Sequence, residues 1–312
     1  MELLHAFPAV RTDGPGSVVT IGNFDGVHVG HQRLLRRVRT MATREGLAAV
    51  AVTFDPHPRC VVDPAGCPPL LSSLADRVVL LGQHGADSVV VVPFTPELST
   101  WSADRFASTL TDSLGMRRLI VGPGFALGRG REGNLEFLRR LGALRGFEVT
   151  TLAPAMRGGR PVSSGRVREA IANGRFGEAI SMLGRPYVLE GVIERGEGRG
   201  AGLGVPTANL GVPTSRCIPA AGVYAGWLHF GDGWRAAATG IGTRPTFGGG
   251  SVTVEAHVID FDGDLYGRAA RLALTRRIRP ERAFASIEEL IAAMTRDIAR
   301  TREIVQGSSP LA

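Results

Sequence analysis

The sequence predicts two folds in succession: a parallel α/β sheet over residues 1–183, then a small antiparallel β-barrel over residues 184–312 with a C-terminal helix. Three observations carry this expectation. Short apolar runs alternate with amphipathic stretches through the first half. In the second half, strand-like runs are separated only by glycine-rich turns, with no room for crossover helices. The 312 residues also suit two domains of about 150 residues each.

In the first half, strands are expected at Ser17–Ile21, Ala48–Phe54, Ser88–Val92, Leu119–Val121 and Glu148–Leu152. Helices are expected between them at about His31–Arg44, Ser73–His84, Ala103–Ser113 and Leu135–Arg145. Such alternation gives a parallel sheet covered on both faces. Sheets of this kind bind ligands beyond the carboxyl ends of their strands, where the chain order reverses. After Gly184-Arg185-Pro186, strands are expected at Tyr187–Arg195, Val223–Phe230, Trp234–Ile241, Val252–Phe261 and Arg268–Arg277. Ser286 and Glu289 have the spacing of a capping box. Beyond them, Ile287, Leu290, Ile291, Met294, Ile298 and Thr301 trace one helical face for packing.

Composition removes whole chemistries. All 36 basic residues are arginine, so there is no Walker A lysine and no Schiff-base lysine. Work on phosphate falls to arginine, histidine, helix-start N–H groups or a metal. The net charge of +7 is spread evenly: 21 arginines face 16 acids in residues 1–183, and 15 face 13 thereafter. With aromatics at only 6% and no long basic run, nucleic acid is not expected as a partner. No apolar stretch is long enough for a bilayer, so no membrane partner is expected. Three cysteines without metal-type spacing point to a reduced, cytoplasmic setting. Oligomeric state is left open, self-association included.

The sharpest motif is Gly22-Asn23-Phe24-Asp25-Gly26-Val27-His28-Val29-Gly30-His31, where a strand enters a glycine-rich turn and a helix follows. Glycines admit a phosphate to the backbone, and the helix start offers free N–H donors and a positive dipole end. His28 and His31 could donate to phosphate oxygens as charge develops; alternatively they are two surface imidazoles. Thr53-Phe54-Asp55-Pro56-His57-Pro58 closes the next strand at the ligand edge of the sheet. Ser163-Ser164-Gly165-Arg166-Val167-Arg168 opens a helix, as an N-cap or as a phosphate grip.

In the second half, glycines alternate from Gly196 to Gly204 ahead of Val205-Pro206-Thr207-Ala208-Asn209, a run that could wrap phosphate with backbone donors. Thr207 and Asn209, two apart on an extended segment, could face Mg²⁺ together. In Val252–Val258, Val254 and Ala256 share one face by period 2, while Glu255 shares the other with Thr253 and His257. Glu255 is then a general base or a solvated strand residue.

Taken together these stretches resemble the bacterial bifunctional riboflavin kinase/FMN adenylyltransferase (FAD synthetase) family. The first half is similar to its adenylyltransferase module through residues 22–32, 53–58 and 163–168. The second half is similar to its kinase module through residues 202–210, 241–247, 254–260 and 264–267. The resemblance implies a Rossmann-like nucleotidyltransferase domain (1–183) followed by a flavokinase β-barrel (184–312). The kinase would move the γ-phosphate of ATP to the 5′-hydroxyl of riboflavin, with Glu255 as base and Thr207 and Asn209 holding Mg²⁺. The adenylyltransferase would let the FMN phosphate attack the α-phosphate of ATP, with His28 and His31 stabilising the transition state. ATP would be held by Gly22, Phe24, Asp25, Gly30, Ser163, Ser164, Arg168, Gly200 and Gly204. The flavin would meet His57, Phe125, Thr243 and Tyr266.

One segment departs. The family usually has G-x-(Asp/Asn)-F-x-F-G after the fourth strand of the alternating pattern, whereas this chain reads Gly122-Pro123-Gly124-Phe125-Ala126-Leu127-Gly128. A lost polar side chain at Gly124 costs on the order of 1–3 kcal/mol where a partner is left unsatisfied. The alternative expectation is therefore a riboflavin kinase whose adenylyltransferase module is weakened or retargeted.

Overall fold

The computed structural model describes residues 1–8, 14–196, 202, 204–231, 233–244, 251–306 and 310. By packing it divides into unit 1 (Met1–Pro68 with Ser73–Ser163) and unit 2 (Pro69–Ser72 with Ser164–Ala312).

Unit 1 holds β1 (Glu2–His5), β2 (Ser17–Ile21), α1 (Val29–Glu45), β3 (Ala48–Asp55), α2 (Pro58–Val62), α3 (Leu74–Gln83) and β4 (Ser88–Pro93). It continues with α4 (Pro96–Ser99), α5 (Ala103–Leu114), β5 (Met116–Val121), α6 (Leu135–Arg145), β6 (Glu148–Thr151) and the short hairpin β7 (Met156–Arg157)–β8 (Arg160–Pro161). The six strands of the main sheet are parallel, in the order β1-β4-β3-β2-β5-β6. Chain order reverses at β2, because β3 and β4 grow to one side of it and β5 and β6 to the other.

Alternate strand residues feed two separate cores, which is why the strands read as continuous apolar runs. Val19, Ile21, Val50, Val52, Val90 and Val92 pack under α5 and α6. Val18, Ala49, Ala51, Val89 and Val91 pack under α1 and α3. The parallel α/β expectation is met. Two local readings change: α1 begins at Val29 rather than His31, because His28 caps it, and β1 adds an edge strand. The cysteine reading also changes. Short helical turns bring the Cα atoms of Cys60 and Cys67 to 4.3 Å and a disulfide joins them, leaving only Cys217 as a free thiol. Cysteine usage therefore gives no argument for a reducing compartment.

Unit 2 begins with α7 (Ser164–Ala172) and α8 (Phe176–Leu183). Its strands are β9 (Tyr187–Glu194), β10 (Ala208–Gly211), β11 (Gly222–Phe230), β12 (Gly233–Arg244), β13 (Ser251–Val258) and β14 (Ala269–Pro280). They close as an antiparallel barrel in the order β10-β13-β12-β11-β14-β9, and α9 (Ile287–Val305) ends the chain. The short strand β10, absent from the expectation, bridges β9 and β13 and completes the closure.

Ser286 caps α9 by accepting from the Glu289 N–H at 3.2 Å, while the Glu289 carboxylate accepts from Ala285 N–H at 3.1 Å. The packing face is turned slightly from the apolar stripe read in the sequence. Leu290, Ile291, Met294 and Ile298 are half-buried and Thr301 is buried as read, but Ile287 is 61% exposed, and Ala293 and Asp297 join the buried line. The cause is an ion pair: Arg279 on β14 donates from Nε and Nη2 to Asp297 at 3.0 and 2.8 Å. Taking one partner from a buried pair strands the other charge, a loss of about 3 kcal/mol. Asp297→Asn is expected to lower unit 2 stability by that amount, read by urea titration of the Trp227 and Trp234 fluorescence.

Candidate active sites

Among the described residues of unit 1, the loop after β2 carries two non-glycine residues in left-handed backbone. Phe24 and Val27 have φ of 47° and 35°, left-handed values that a β-branched valine adopts only under compulsion. The compulsion is visible on both sides. Thr53 Oγ1 donates to Asn23 O at 3.2 Å, and Gln32 Nε2 donates to Val27 O at 2.9 Å. Val27 N–H closes the turn on Phe24 O at 2.9 Å. The Phe24 ring is buried in the core, edge-on to His31 at 5.1 Å, so this residue offers a ligand its backbone only. Asp25 is likewise buried.

His28 is the N-cap of α1: its Nδ1 accepts from the His31 N–H at 3.3 Å. Neutral His28 therefore carries its proton on Nε2. The His28 and His31 rings stack at 3.7 Å, so the two imidazoles act from one place at the positive end of the helix. Gly30 permits this: a Cβ there would meet the His28 ring at 3.0 Å. Gly22 is tight too, with the Phe24 ring 3.3 Å from where its Cβ would be.

Beside this loop lies a cavity of about 620 Å³, within the range of small-molecule sites. Gly22, Asn23, Phe54, Pro58, Phe125 and Arg131 are among the residues that line it. His57 stands at its margin, with Nε2 3.1 Å from the Asn23 amide. Gly124 lies on the same wall, where Arg131 Nη2 donates to its carbonyl at 2.8 Å. Leu127, where the family pattern has its second Phe, is buried in the core. Ser163 closes unit 1, while Ser164 and Arg168 lie in the first helix of unit 2. There the Arg168 Nε donates to Pro69 O at 2.7 Å.

Among the described residues of unit 2, two cavities share one residue. A cavity of about 330 Å³ is lined by Pro206, Thr207, Asp262, Asp264 and Tyr266, among others. A smaller one of about 140 Å³ holds Thr207, Glu255, His257, Arg279 and Asp297 beneath Met294 and Ile298 of α9. Thr207 borders both. The barrel register places Asn209 directly opposite Glu255, a pairing that period-2 reading could not supply. Val254, Ala256 and Val258 point inward, leaving Glu255 and His257 on the other face as expected. His257 Nδ1 lies 2.8 Å from Pro206 O and ties β13 to the Pro206–Asn209 segment.

Tyr266 lies in the larger cavity, not with Glu255, and the Arg195 guanidinium sits 5.0 Å over its ring. Gly204 has φ of 76°, which explains glycine there. Gly200 lies outside the described residues, and of Thr243 only the backbone is described, in β12 opposite Val252. Among the described residues no cluster of three or more His, Cys, Asp or Glu could hold a metal unaided. The oxygen donors Thr207 and Asn209 suit Mg²⁺, which takes few protein ligands and completes its shell from phosphates and water.

A family model described as FAD synthetase matches residues 10–166, and one described as riboflavin kinase matches residues 183–305. The bifunctional riboflavin kinase/FMN adenylyltransferase of Pseudomonas fluorescens is 37% identical over 312 residues, with 99% of both chains covered. That of Escherichia coli K12 is 36% identical over 298 residues, with 95% of both covered. A solved structure described as a macrolide-efflux protein from Streptococcus pneumoniae is similar at a TM-score of 0.87 and 26% identity, covering 99% of this chain and 100% of that one. No helix among the described residues is long and apolar enough to cross a membrane. The FAD synthetase model runs through residues 122–128, so the kinase-only alternative is not favoured.

Proposed function

From the premise that this chain belongs to the bifunctional riboflavin kinase/FMN adenylyltransferase family, we propose which residues carry each of its two reactions. The enzyme phosphorylates riboflavin with ATP to give FMN, and adenylylates FMN with ATP to give FAD and pyrophosphate. In our reading residues 1–183 serve the second step and residues 184–312 the first.

For phosphorylation, Glu255 takes the proton of the riboflavin 5′-hydroxyl as that oxygen attacks the γ-phosphorus and ADP leaves. The observation that supports this is the position of Thr207, on the wall of both the Glu255 cavity and the larger one. We assign the larger cavity to ATP and the smaller to the hydroxyl end of riboflavin, so the phosphoryl group passes at Thr207. Asn209, opposite Glu255 in register, and Thr207 would hold Mg²⁺, which when bound offsets negative charge on the phosphates. Gly200 and Gly204 would approach those phosphates by their backbone. Thr243 would bound the flavin, and Tyr266 would pack against a ring on the nucleotide side.

For adenylylation, a phosphate oxygen of FMN attacks the α-phosphorus of ATP and the bond to pyrophosphate breaks. His28 and His31 donate to the oxygens on which charge develops, aided by the α1 N-terminus. Gly22, Phe24, Asp25 and Gly30 shape the loop around ATP, and the resemblance assigns Ser163, Ser164 and Arg168 to its phosphates. The flavin rests against Phe125 in the 620 Å³ cavity, with His57 at its margin. A Cβ at Gly124 meets nothing within 4 Å, so a polar side chain fits there. Gly124→Asn is expected to lower the KM for FMN about fivefold, one hydrogen bond's worth; an unchanged KM would show that the added amide finds no partner. We place the enzyme in the cytoplasm, where ATP is held, with small molecules as its partners.

The test is direct. The purified chain is incubated with riboflavin, ATP and Mg²⁺, and separately with FMN, ATP and Mg²⁺, and the flavins are resolved by chromatography. FMN and FAD should form in the first mixture and FAD in the second. Removing Mg²⁺ with a chelator should stop both. FMN formation that survives chelation would overturn the assignment of Mg²⁺ to Thr207 and Asn209.

A further inference from the structure

An arginine that no motif singles out lies under the adenylyltransferase loop. Arg77, in the first turn of α3, is 1% exposed. Its Nη1 donates to Phe54 O at 2.8 Å and to Thr53 Oγ1 at 3.3 Å. Thr53 Oγ1 donates in turn to Asn23 O. The Asn23 amide meets His57. One cation thus links the end of β3 to the strained loop after β2.

Core filling does not account for it. Taking an ion out of water costs several kcal/mol, and an apolar side chain of similar volume would fill the space at less cost. The Arg77 Nε is buried with no hydrogen-bond partner among the described residues. Burial pushes this guanidinium's pKa down, and the carboxylates of Asp25 and then Asp55 pull it back up. The charge is therefore kept for what it faces: the Phe54 carbonyl, the Thr53 hydroxyl and the buried carboxylate of Asp25. Residues in left-handed backbone each cost on the order of 1–3 kcal/mol and persist only where neighbours over-determine them. One side-chain anchor on this loop, the bond to Asn23 O, runs through Thr53 to Arg77.

We propose that Arg77 is a positioning residue for FMN adenylylation, acting through Thr53 and the Phe54 carbonyl to hold the loop that carries Asp25 and His28 in its active form. This rests on the reading above, in which that loop, with His28 and His31, forms the adenylyltransferase site. The role belongs to kcat, because a misplaced loop spoils the transition state more than it spoils ground-state binding.

Steady-state kinetics of full-length Arg77→Met, Arg77→Lys and Thr53→Val test it, with the His28→Ala/His31→Ala double variant as reference. Arg77→Met should lower kcat for FMN to FAD by about 30- to 100-fold while the KM for ATP moves less than about threefold. Arg77→Lys, which keeps the cation, should recover kcat to within about fivefold of the parent. Thr53→Val should lose about fivefold in kcat with only a small fall in Tm that leaves the chain folded at the assay temperature, so the test stands even where Arg77→Met does not fold. Riboflavin kinase activity should be unchanged in all three. Arg77→Met within about twofold of the parent, a loss carried in KM alone, lysine no better than methionine, or an unaffected Thr53→Val each overturns the proposal. Any of these results beside an inactive histidine reference removes Arg77 alone. A reference that still makes FAD removes the underlying site and this proposal together.

Discussion

Glu255→Gln is expected to abolish FMN formation from riboflavin, with a loss of about 10²–10⁴-fold in kcat, while FMN is still converted to FAD. Glutamine keeps the size and the hydrogen-bonding length of glutamate but cannot take a proton. The loss should therefore appear in kcat and not in the KM for riboflavin. The variant should also keep its stability, because Val254, Ala256 and Val258 hold the strand to the core while residue 255 faces the cavity under α9. Initial rates with each flavin in parallel check the expectation. Equal losses in both reactions would overturn the division of labour between the two units.

The converse experiment has a comparable effect. His28→Ala combined with His31→Ala should cut FMN adenylylation by about 10²–10³-fold or more and leave riboflavin phosphorylation intact. The stacked rings at one helix start would, in the proposed roles, act on the same phosphate oxygens, so the second substitution should cost less than the first. Part of any stability change has a separate cause: His28 also caps α1, and losing a cap costs about 1 kcal/mol. Chromatography of FAD produced from FMN, beside a thermal melt, separates these two contributions. If the double variant makes FAD at the parent rate, the loop is not the adenylyltransferase site.

Much of this protein was legible in its sequence. The alternation that predicts a parallel sheet is set by local periodicity, and four of its first-half strands begin where the pattern starts: Ser17, Ala48, Ser88 and Glu148. The motif at Gly22–His31 could be placed at a ligand edge because a strand leading into a glycine turn and a helix has few other uses. The absence of lysine likewise narrowed the phosphate chemistry to arginine, histidine, helix-start N–H groups or a metal.

Other features depend on contacts between distant segments, which no local pattern records. Glu255 and Asn209 are 46 residues apart in the sequence, and only the β10–β13 register sets them opposite each other. The Cys60–Cys67 disulfide, the pairing that turns Asp297 rather than Ile287 to the barrel, and the assignment of α7 and α8 to unit 2 are of the same kind. Arg77 is the plainest case. In the sequence it is one of 36 arginines, inside the helix expected at about Ser73–His84, and no motif marks it. Packing buries it between two motifs, because the carbonyl of Phe54, the hydroxyl of Thr53 and the charge of Asp25 converge there only after β2, β3 and α3 have docked. Periodicity along the chain determined the elements and the chemistry on offer. The register and burial that decide which groups meet came from the tertiary structure, since hydrogen-bond geometry and desolvation are properties of neighbours in space.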